Sequence, residues 1–234
     1  MWGRELWQAP RLTFPTVCFS LPPMCNLYRM TKARDEVARW FGPIDAATGS
    51  NTAEEIYPGY PALVIADGLL QSMSWGFPLA MKGAGGRTRR PKPVNNARTD
   101  KLDSLFWRES FEKRRCLIPL TAWAEAGGQR GAMTRSWFSR PDTELFAAAG
   151  IWRMSAEWGA VFSMVMTDSY GAVAECHDRM PVLLADHDVD RWTGGSATEA
   201  FALCVPFKGD VAVERTSEPW AKRTPEVEAQ PGLI

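Results

Sequence analysis

The apolar residues of this 234-residue chain arrive in short bursts, and that restricts the folds open to it. Residues 62–66 and 69–75 flank Asp67-Gly68, and further runs occupy residues 116–123, 137–139, 145–152 and 160–167. Runs this short, bounded by Gly, Pro and Asp, suit strands better than helices. An Asp-Gly pair between two of them is a strong two-residue hairpin signal, because both turn positions take positive φ. Seventeen prolines and nineteen glycines supply the many turns that such a chain requires. Helical patterns are brief. One is capped at Thr31, carries Val37, Trp40 and Phe41 on its apolar face and closes at Gly42. Another is capped at Ser104 and runs to Lys113, and a third starts at Asp186 or Asp188 and passes through Trp192. No strand-helix-strand rhythm and no internal repeat is present. The expected fold is therefore a single α+β domain with a largely antiparallel sheet or barrel and short peripheral helices.

Residues 1–23 read differently, with no periodicity and an abrupt Pro22-Pro23 before Met24. They are expected to be a disordered leader or the product of a start codon placed too far upstream. The domain should span residues 24–222, with 223–234 as a tail. Residues 82–93, rich in Gly, Arg and Pro, read as a mobile basic loop. The first 23 residues make a poor secretory signal, and no apolar run reaches the roughly 18 residues of a membrane helix. Five cysteines without a CxxC pair fit neither a disulfide framework nor a structural zinc site, so a reducing cytoplasm is expected, with no metal and no cofactor. The formal net charge is zero, which argues against a purely electrostatic nucleic-acid grip. The arginines nevertheless cluster at Arg87, Arg89, Arg90, Arg98, Arg108, Arg114 and Arg115, either as a solvated face or as a local groove.

Four short elements carry residues suited to chemistry. Met24-Cys25 comes first: translation from Met24 with removal of that methionine would leave Cys25 with a free amine beside its thiol, two nucleophiles of pKa about 8 and about 8.5. Such an aminothiol can condense with an aldehyde and close to a five-membered thiazolidine. A buried structural cysteine explains the same residue on spacing alone. Asn95-Asn96-Ala97-Arg98 places an amide and a guanidinium two residues apart, on one face if extended, although a turn or cap would also account for it. Arg115-Cys116-Leu117-Ile118-Pro119 leads to Trp123-Ala124-Glu125, where burial would raise the Glu125 pKa and suit proton transfer; the alternative is a carboxylate at a strand end. His177-Asp178-Arg179-Met180-Pro181 holds one of only two histidines, the usual acid or base near neutral pH, and Arg179 could bind phosphate beside it. The other, His187, sits between two aspartates and reads as a surface residue.

In this order the four elements resemble the SRAP family, the SOS-response-associated peptidase domain or abasic-site processing proteins. Trp75-Gly76 after the hairpin, Ala149-Gly150-Ile151-Trp152 and Pro181-Val182-Leu183-Leu184 extend the likeness over residues 24 to about 222. The resemblance implies a β-rich, barrel-like α+β domain with a positively charged cleft for single-stranded DNA. It also implies covalent capture of abasic sites through a thiazolidine on an N-terminal cysteine. Cys25 would then be the nucleophile, Glu125 and His177 the acid/base pair, and Asn96 the group that orients the deoxyribose or the cysteine. Arg98 and Arg179 would bind flanking phosphates and Trp75 would stack or wedge beside the lesion. The implied partner is single-stranded DNA containing abasic sites, bound by a monomer in the cytoplasm and at the nucleoid. Two departures stand out: Asn26 and Leu27 replace the Gly-Arg that many members carry, removing one arginine, and Ala126 replaces an aromatic after the glutamate. Two other readings share the same residues. A thiol autopeptidase would cleave before Cys25 with help from Glu125 and His177, and a non-covalent single-strand binding module would use only the arginines and tryptophans.

Overall fold

A computed structural model describes residues 25–42, 53–82, 87–129 and 131–220. The expectations for 1–23 and for 223–234 lie outside the described residues. The strands in chain order are β1 (Tyr28–Arg29), β2 (Glu55–Ile56), β3 (Pro61–Ala66), β4 (Leu69–Trp75), β5 (Phe77–Lys82), β6 (Thr88–Val94), β7 (Asn96–Arg98), β8 (Arg115–Leu120), β9 (Ala122–Gly127), β10 (Thr134–Ser139), β11 (Phe146–Ser155), β12 (Gly159–Asp168), β13 (Arg179–Pro181), β14 (Leu183–Leu184) and β15 (Ala212–Pro219). Four short helices accompany them: α1 (Arg34–Phe41), α2 (Arg108–Lys113), α3 (Val189–Gly194) and α4 (Ala197–Ala202).

Five strands close on themselves in the order β12, β4, β3, β8, β11 and back to β12. All these pairings are antiparallel except β12 with β4. The β3–β4 hairpin turns at Asp67 (φ 50°) and Gly68 (φ 74°), as the Asp-Gly pair requires. The interior is filled by buried side chains that share one face by register, such as Val64, Met73, Ile118, Ala148 and Phe162. Gly150 on β11 lets the strands approach: a Cβ there would lie 2.8 Å from Cys116 Sγ and 2.9 Å from Ile118 Cδ1. A second sheet, β15-β10-β9-β1-β2, is antiparallel throughout and brings the start of the domain beside β9. Beyond the closed ring, β7 and β13 lie on opposite sides of the far end of β12.

The helices are peripheral and shorter than the sequence suggests. α1 starts after Ala33, where Glu36 accepts from the Ala33 N–H at 2.8 Å, so Thr31 is not its cap. α2 begins only at Arg108; residues 104–107 are turns, and Leu105 is 94% exposed instead of packed. Arg115 anchors this layer. Its guanidinium donates to the carbonyls of Phe111, Glu112, Trp192 and Gly195, closing the ends of α2 and α3 onto β8. The basic stretch expected to be a loop instead pairs as the β5–β6 hairpin, with residues 83–86 outside the described set. Its prolines are tolerated because a two-stranded sheet consists of edge strands.

Candidate active site

Cys25 enters the fold just ahead of β1. The Ala124 N–H donates to the Leu27 carbonyl at 2.9 Å, and Tyr28 pairs with Trp123, so β9 carries Glu125 back alongside the residues following Cys25. The Cys25 carbonyl accepts two side-chain amides, Asn96 Nδ2 at 2.7 Å and Asn95 Nδ2 at 2.9 Å. Asn95 Nδ2 also donates to Asn26 Oδ1 at 3.0 Å. The Cys25 thiol donates weakly to the Leu27 carbonyl at 3.6 Å. Burial pushes this thiol well above its ordinary pKa, and the Glu125 charge adds to the rise.

Glu125 is fully buried, and neither carboxylate oxygen has a hydrogen-bond partner among the described residues. Burial raises its pKa well above the usual carboxylate range, with the Asp178 carboxylate adding to the effect. His177 lies in the turn before β13. Its Nδ1 accepts the Arg179 N–H at 3.0 Å and lies 3.2 Å from the Asp178 carboxylate. The ring's Nε2 is buried and without a partner among the described residues, as is Asn96 Oδ1. Three of the expected residues thus hold buried polar atoms that no described group satisfies; Tyr28, Arg114, Trp123, Arg135, Trp137 and Trp152 hold one such atom each elsewhere.

The arginines of the expected set flank the same end of β12. Arg98 on β7 stands opposite Met166, and Arg179 on β13 stands opposite Asp168. Each is held by a carboxylate: Arg98 Nε and Nη2 donate to Asp100 at 2.9 Å each, and Arg179 Nη1 reaches Asp168 at 2.7 Å. The hydrogen bond from Arg98 lowers the Asp100 pKa, and the charge of Arg179 contributes. Asn96 and Arg98 share a strand as expected, but the Asn96 amide is committed to the Cys25 carbonyl, not to an anion shared with Arg98.

Trp75 corrects the expectation of a stacking wedge. It is fully buried, with Tyr28 meeting it edge-on at 5.0 Å and Phe162 stacked at 6.4 Å between centroids. A base has no free ring face here. Its Nε1 instead donates to the Asn95 carbonyl at 2.9 Å, supporting the amide that holds Cys25. The residues following Cys25 also acquire roles. Asn26 locks Asn95, Leu27 packs with Ala124 and Trp137 in a small outer cluster, and Arg29 stacks over Trp137 at 3.7 Å. Sequence reasoning singled out Asn96 and overlooked Asn95, though the Asn-Asn doublet was the available signal. Among the described residues no group of His, Cys, Asp and Glu side chains could hold a metal ion, and no helix is long and apolar enough to cross a membrane.

Comparison with known proteins bears on the fold and the family. A protein from Bacteroides thetaiotaomicron has a similar structure, with a TM-score of 0.67 at 21% identity, over 81% of this chain and 91% of that one. One from Bordetella bronchiseptica gives 0.66 at 21% identity, over 82% and 99% of the two chains. A phage-related protein from the same organism gives 0.63 at 19%, over 82% and 94%. These likenesses establish the shared fold. No curated protein matches the sequence. The profile of the family described as SOS response associated peptidase (SRAP) matches residues 24–218, and membership supports a role connected with DNA damage. The chain belongs to the SRAP family.

Proposed function

We propose that this protein captures abasic sites in single-stranded DNA as a covalent adduct on Cys25. The observation that carries the reading is the clamp on Cys25: two asparagine amides fix its carbonyl, and Glu125, buried and without a partner among the described residues, is near enough for its charge to raise the thiol's pKa. Fixing the carbonyl orients the rest of the residue, which is what an aminothiol needs to present nitrogen and sulfur to one carbon. The reading requires a chain that begins at Cys25. The family match starting at residue 24 is in keeping with that requirement.

The chemistry balances without a cofactor. The Cys25 amine adds to the aldehyde carbon of the ring-opened deoxyribose, and loss of the carbonyl oxygen as water gives an imine. The sulfur then adds to the imine carbon, and the nitrogen takes up the proton that the thiol gives up. One C–N and one C–S bond form for one C=O bond lost. Glu125, whose burial favours the protonated form, donates a proton to the departing hydroxyl and recovers one from the amine nitrogen as the imine forms. His177 donates from its buried Nε2 during sugar ring opening, with the Arg179 N–H and the Asp178 carboxylate at Nδ1 orienting the ring. Arg98 and Arg179 bind the flanking phosphates by exchanging their carboxylate partners for phosphate oxygens.

The test starts from intact mass, comparing full-length protein with a form beginning at Cys25. Each is incubated with an abasic-site oligonucleotide and run on a denaturing gel. We expect a denaturation-resistant band from the form beginning at Cys25, absent in Cys25→Ala. No band from a protein with a verified free Cys25 amine would reject the proposal. Spontaneous shortening of the full-length protein that stops in Cys25→Ala would identify self-processing as the step that exposes the amine.

A further inference from the structure

The β5–β6 hairpin is a basic arm rooted at the Cys25 site. Its first strand follows Trp75-Gly76 and its second ends at Val94, immediately before the Asn95-Asn96 pair that clamps Cys25. Gly76 sets its direction. With φ at +122°, it donates its N–H to the Phe162 carbonyl at 2.7 Å, and a Cβ there would lie 2.5 Å from Pro93 Cβ. Seven residues of β6 at ~3.3 Å each give the arm a length of ~20 Å.

Its charge is unlike that of the rest of the protein. From Gly68 to Thr99 the sequence contains no Asp or Glu, while residues 77–94 carry Lys82, Arg87, Arg89, Arg90 and Lys92. Arg87, Arg89, Arg90 and Lys92 are exposed and have no ion pair or hydrogen bond with a described residue. Elsewhere the described arginines are engaged: Arg29, Arg39, Arg98, Arg114, Arg135, Arg140, Arg179, Arg191 and Arg215 with carboxylates, and Arg108, Arg115 and Arg153 with backbone carbonyls. Lysine and proline on an edge strand can serve only to discourage sheet-to-sheet aggregation. That role does not account for the cleft of about 530 Å3 at the side of the arm, lined by Arg90, Pro91, Pro93, Ser74 and Trp158. A free guanidinium beside flat proline and indole surfaces suits a phosphate followed by a stacked base.

We propose that this arm is a second DNA contact, on which the strand leaving the Cys25 site runs with its phosphates on Arg89, Arg90 and Lys92 and one base in the Trp158 cleft. The inference rests on the proposed function for the identity of its ligand. An anionic membrane or an acidic protein would also meet unpaired cations, but neither matches a base-sized cleft next to a DNA-processing site.

The test uses the full domain beginning at Cys25, with abasic oligonucleotides of about 5 and about 16 nucleotides, a span covering usual single-strand site sizes. An Arg89→Ser/Arg90→Ser/Lys92→Ser variant should bind the long oligonucleotide about tenfold more weakly. Loss of three phosphate contacts should reduce the slope of log K against log salt by about 2. Trp158→Leu should weaken the long oligonucleotide several-fold with the salt slope unchanged, and both variants should cross-link the short one like wild type. Circular dichroism melts identify a variant that has failed to fold, and single substitutions at Arg89 and Lys92 then serve in its place. Equal affinity and equal salt slope in wild type and folded variants would overturn the proposal. Binding of wild type to anionic phospholipid vesicles, with no dependence on DNA length, would overturn it as well. Failure of wild type to cross-link either oligonucleotide would reject the Cys25 reading, while length-dependent, arm-dependent affinity would still uphold the arm.

Discussion

The closed ring of β3, β4, β8, β11 and β12 and the neighbourhood of Cys25 are both buried, yet they are built on opposite rules. Inside the ring the fully buried side chains are apolar, and on the opposite face of β12 Ser163 settles its hydroxyl on the Val94 carbonyl at 2.7 Å. Around Cys25, Glu125, His177 and Asn96 keep buried polar atoms without partners among the described residues. Leaving such atoms unmet costs about 1–3 kcal/mol each in proteins. The ring supplies stability, and the Cys25 region spends some of it on groups whose partners are expected to be substrate atoms. Substitutions in the two regions should therefore move stability and activity in different directions.

The largest effect on stability is expected in the ring. Ile118→Ala should lower the unfolding free energy by about 2–5 kcal/mol, read from denaturant melts, while cross-linking per folded molecule stays near wild type. A proportionate loss of cross-linking would erase the contrast.

Glu125→Gln should do the reverse. The amide keeps the shape but not the proton transfer, so cross-linking should slow by about 100-fold. Stability should rise, and its pH dependence is fixed in sign. The raised pKa means that folded Glu125 keeps a proton that the unfolded chain has released, so wild-type stability falls as pH climbs above the ordinary carboxylate value of about 4. Glu125→Gln should match wild type near pH 4 and exceed it by about 1–3 kcal/mol at neutral pH. Thermal melts across that range check this, and a variant less stable at every pH would contradict it.

Asn96→Ala removes the shorter of the two amide bonds to the Cys25 carbonyl and leaves Asn95 in place. Cross-linking should slow by about tenfold, and the double Asn95→Ala/Asn96→Ala variant should lose more than the product of the single effects, because each amide backs up the other. The smallest effect is expected at Asp100→Asn, which loosens the grip on Arg98. Affinity for single-stranded DNA should rise by about threefold at low salt, less at high salt, as a titration of binding against salt would read.

Much of this fold is written locally. Asp67-Gly68 dictates its hairpin because both residues must take positive φ, and the short runs became β8, β11 and β12 close to where their turn residues bound them. Helix starts were less legible. Ser104 is a good cap by type, but the chain makes turns through residue 107 before α2 forms, and nothing packs on Leu105 to reward an earlier start. The basic stretch concealed a hairpin because proline and glycine signal loops, whereas an isolated two-stranded ribbon leaves its edges free to hold them. At the site, Cys25, Asn96, Glu125 and His177 were readable only as an ordered set, since each alone has an ordinary structural explanation. The placement that sets Asp178 against Glu125 and Arg179 near Asp100 was not readable, because those effects depend on β7 and β13 flanking one end of β12. Trp75 was misjudged for a related reason: composition counts tryptophans but does not say which face of a sheet each one occupies.

The central claim is that the amine and the sulfur of Cys25 bond to the same carbon. Mass spectrometry of the Cys25 peptide, after reaction with an abasic oligonucleotide and nuclease trimming, tests it directly. The expected product carries the sugar fragment less one water, with the sulfur inert to alkylation and the nitrogen taking up one methyl group on reductive methylation where a free primary amine takes two. An adduct that retains a free thiol or a primary amine, or one that sits on another residue, would contradict the account.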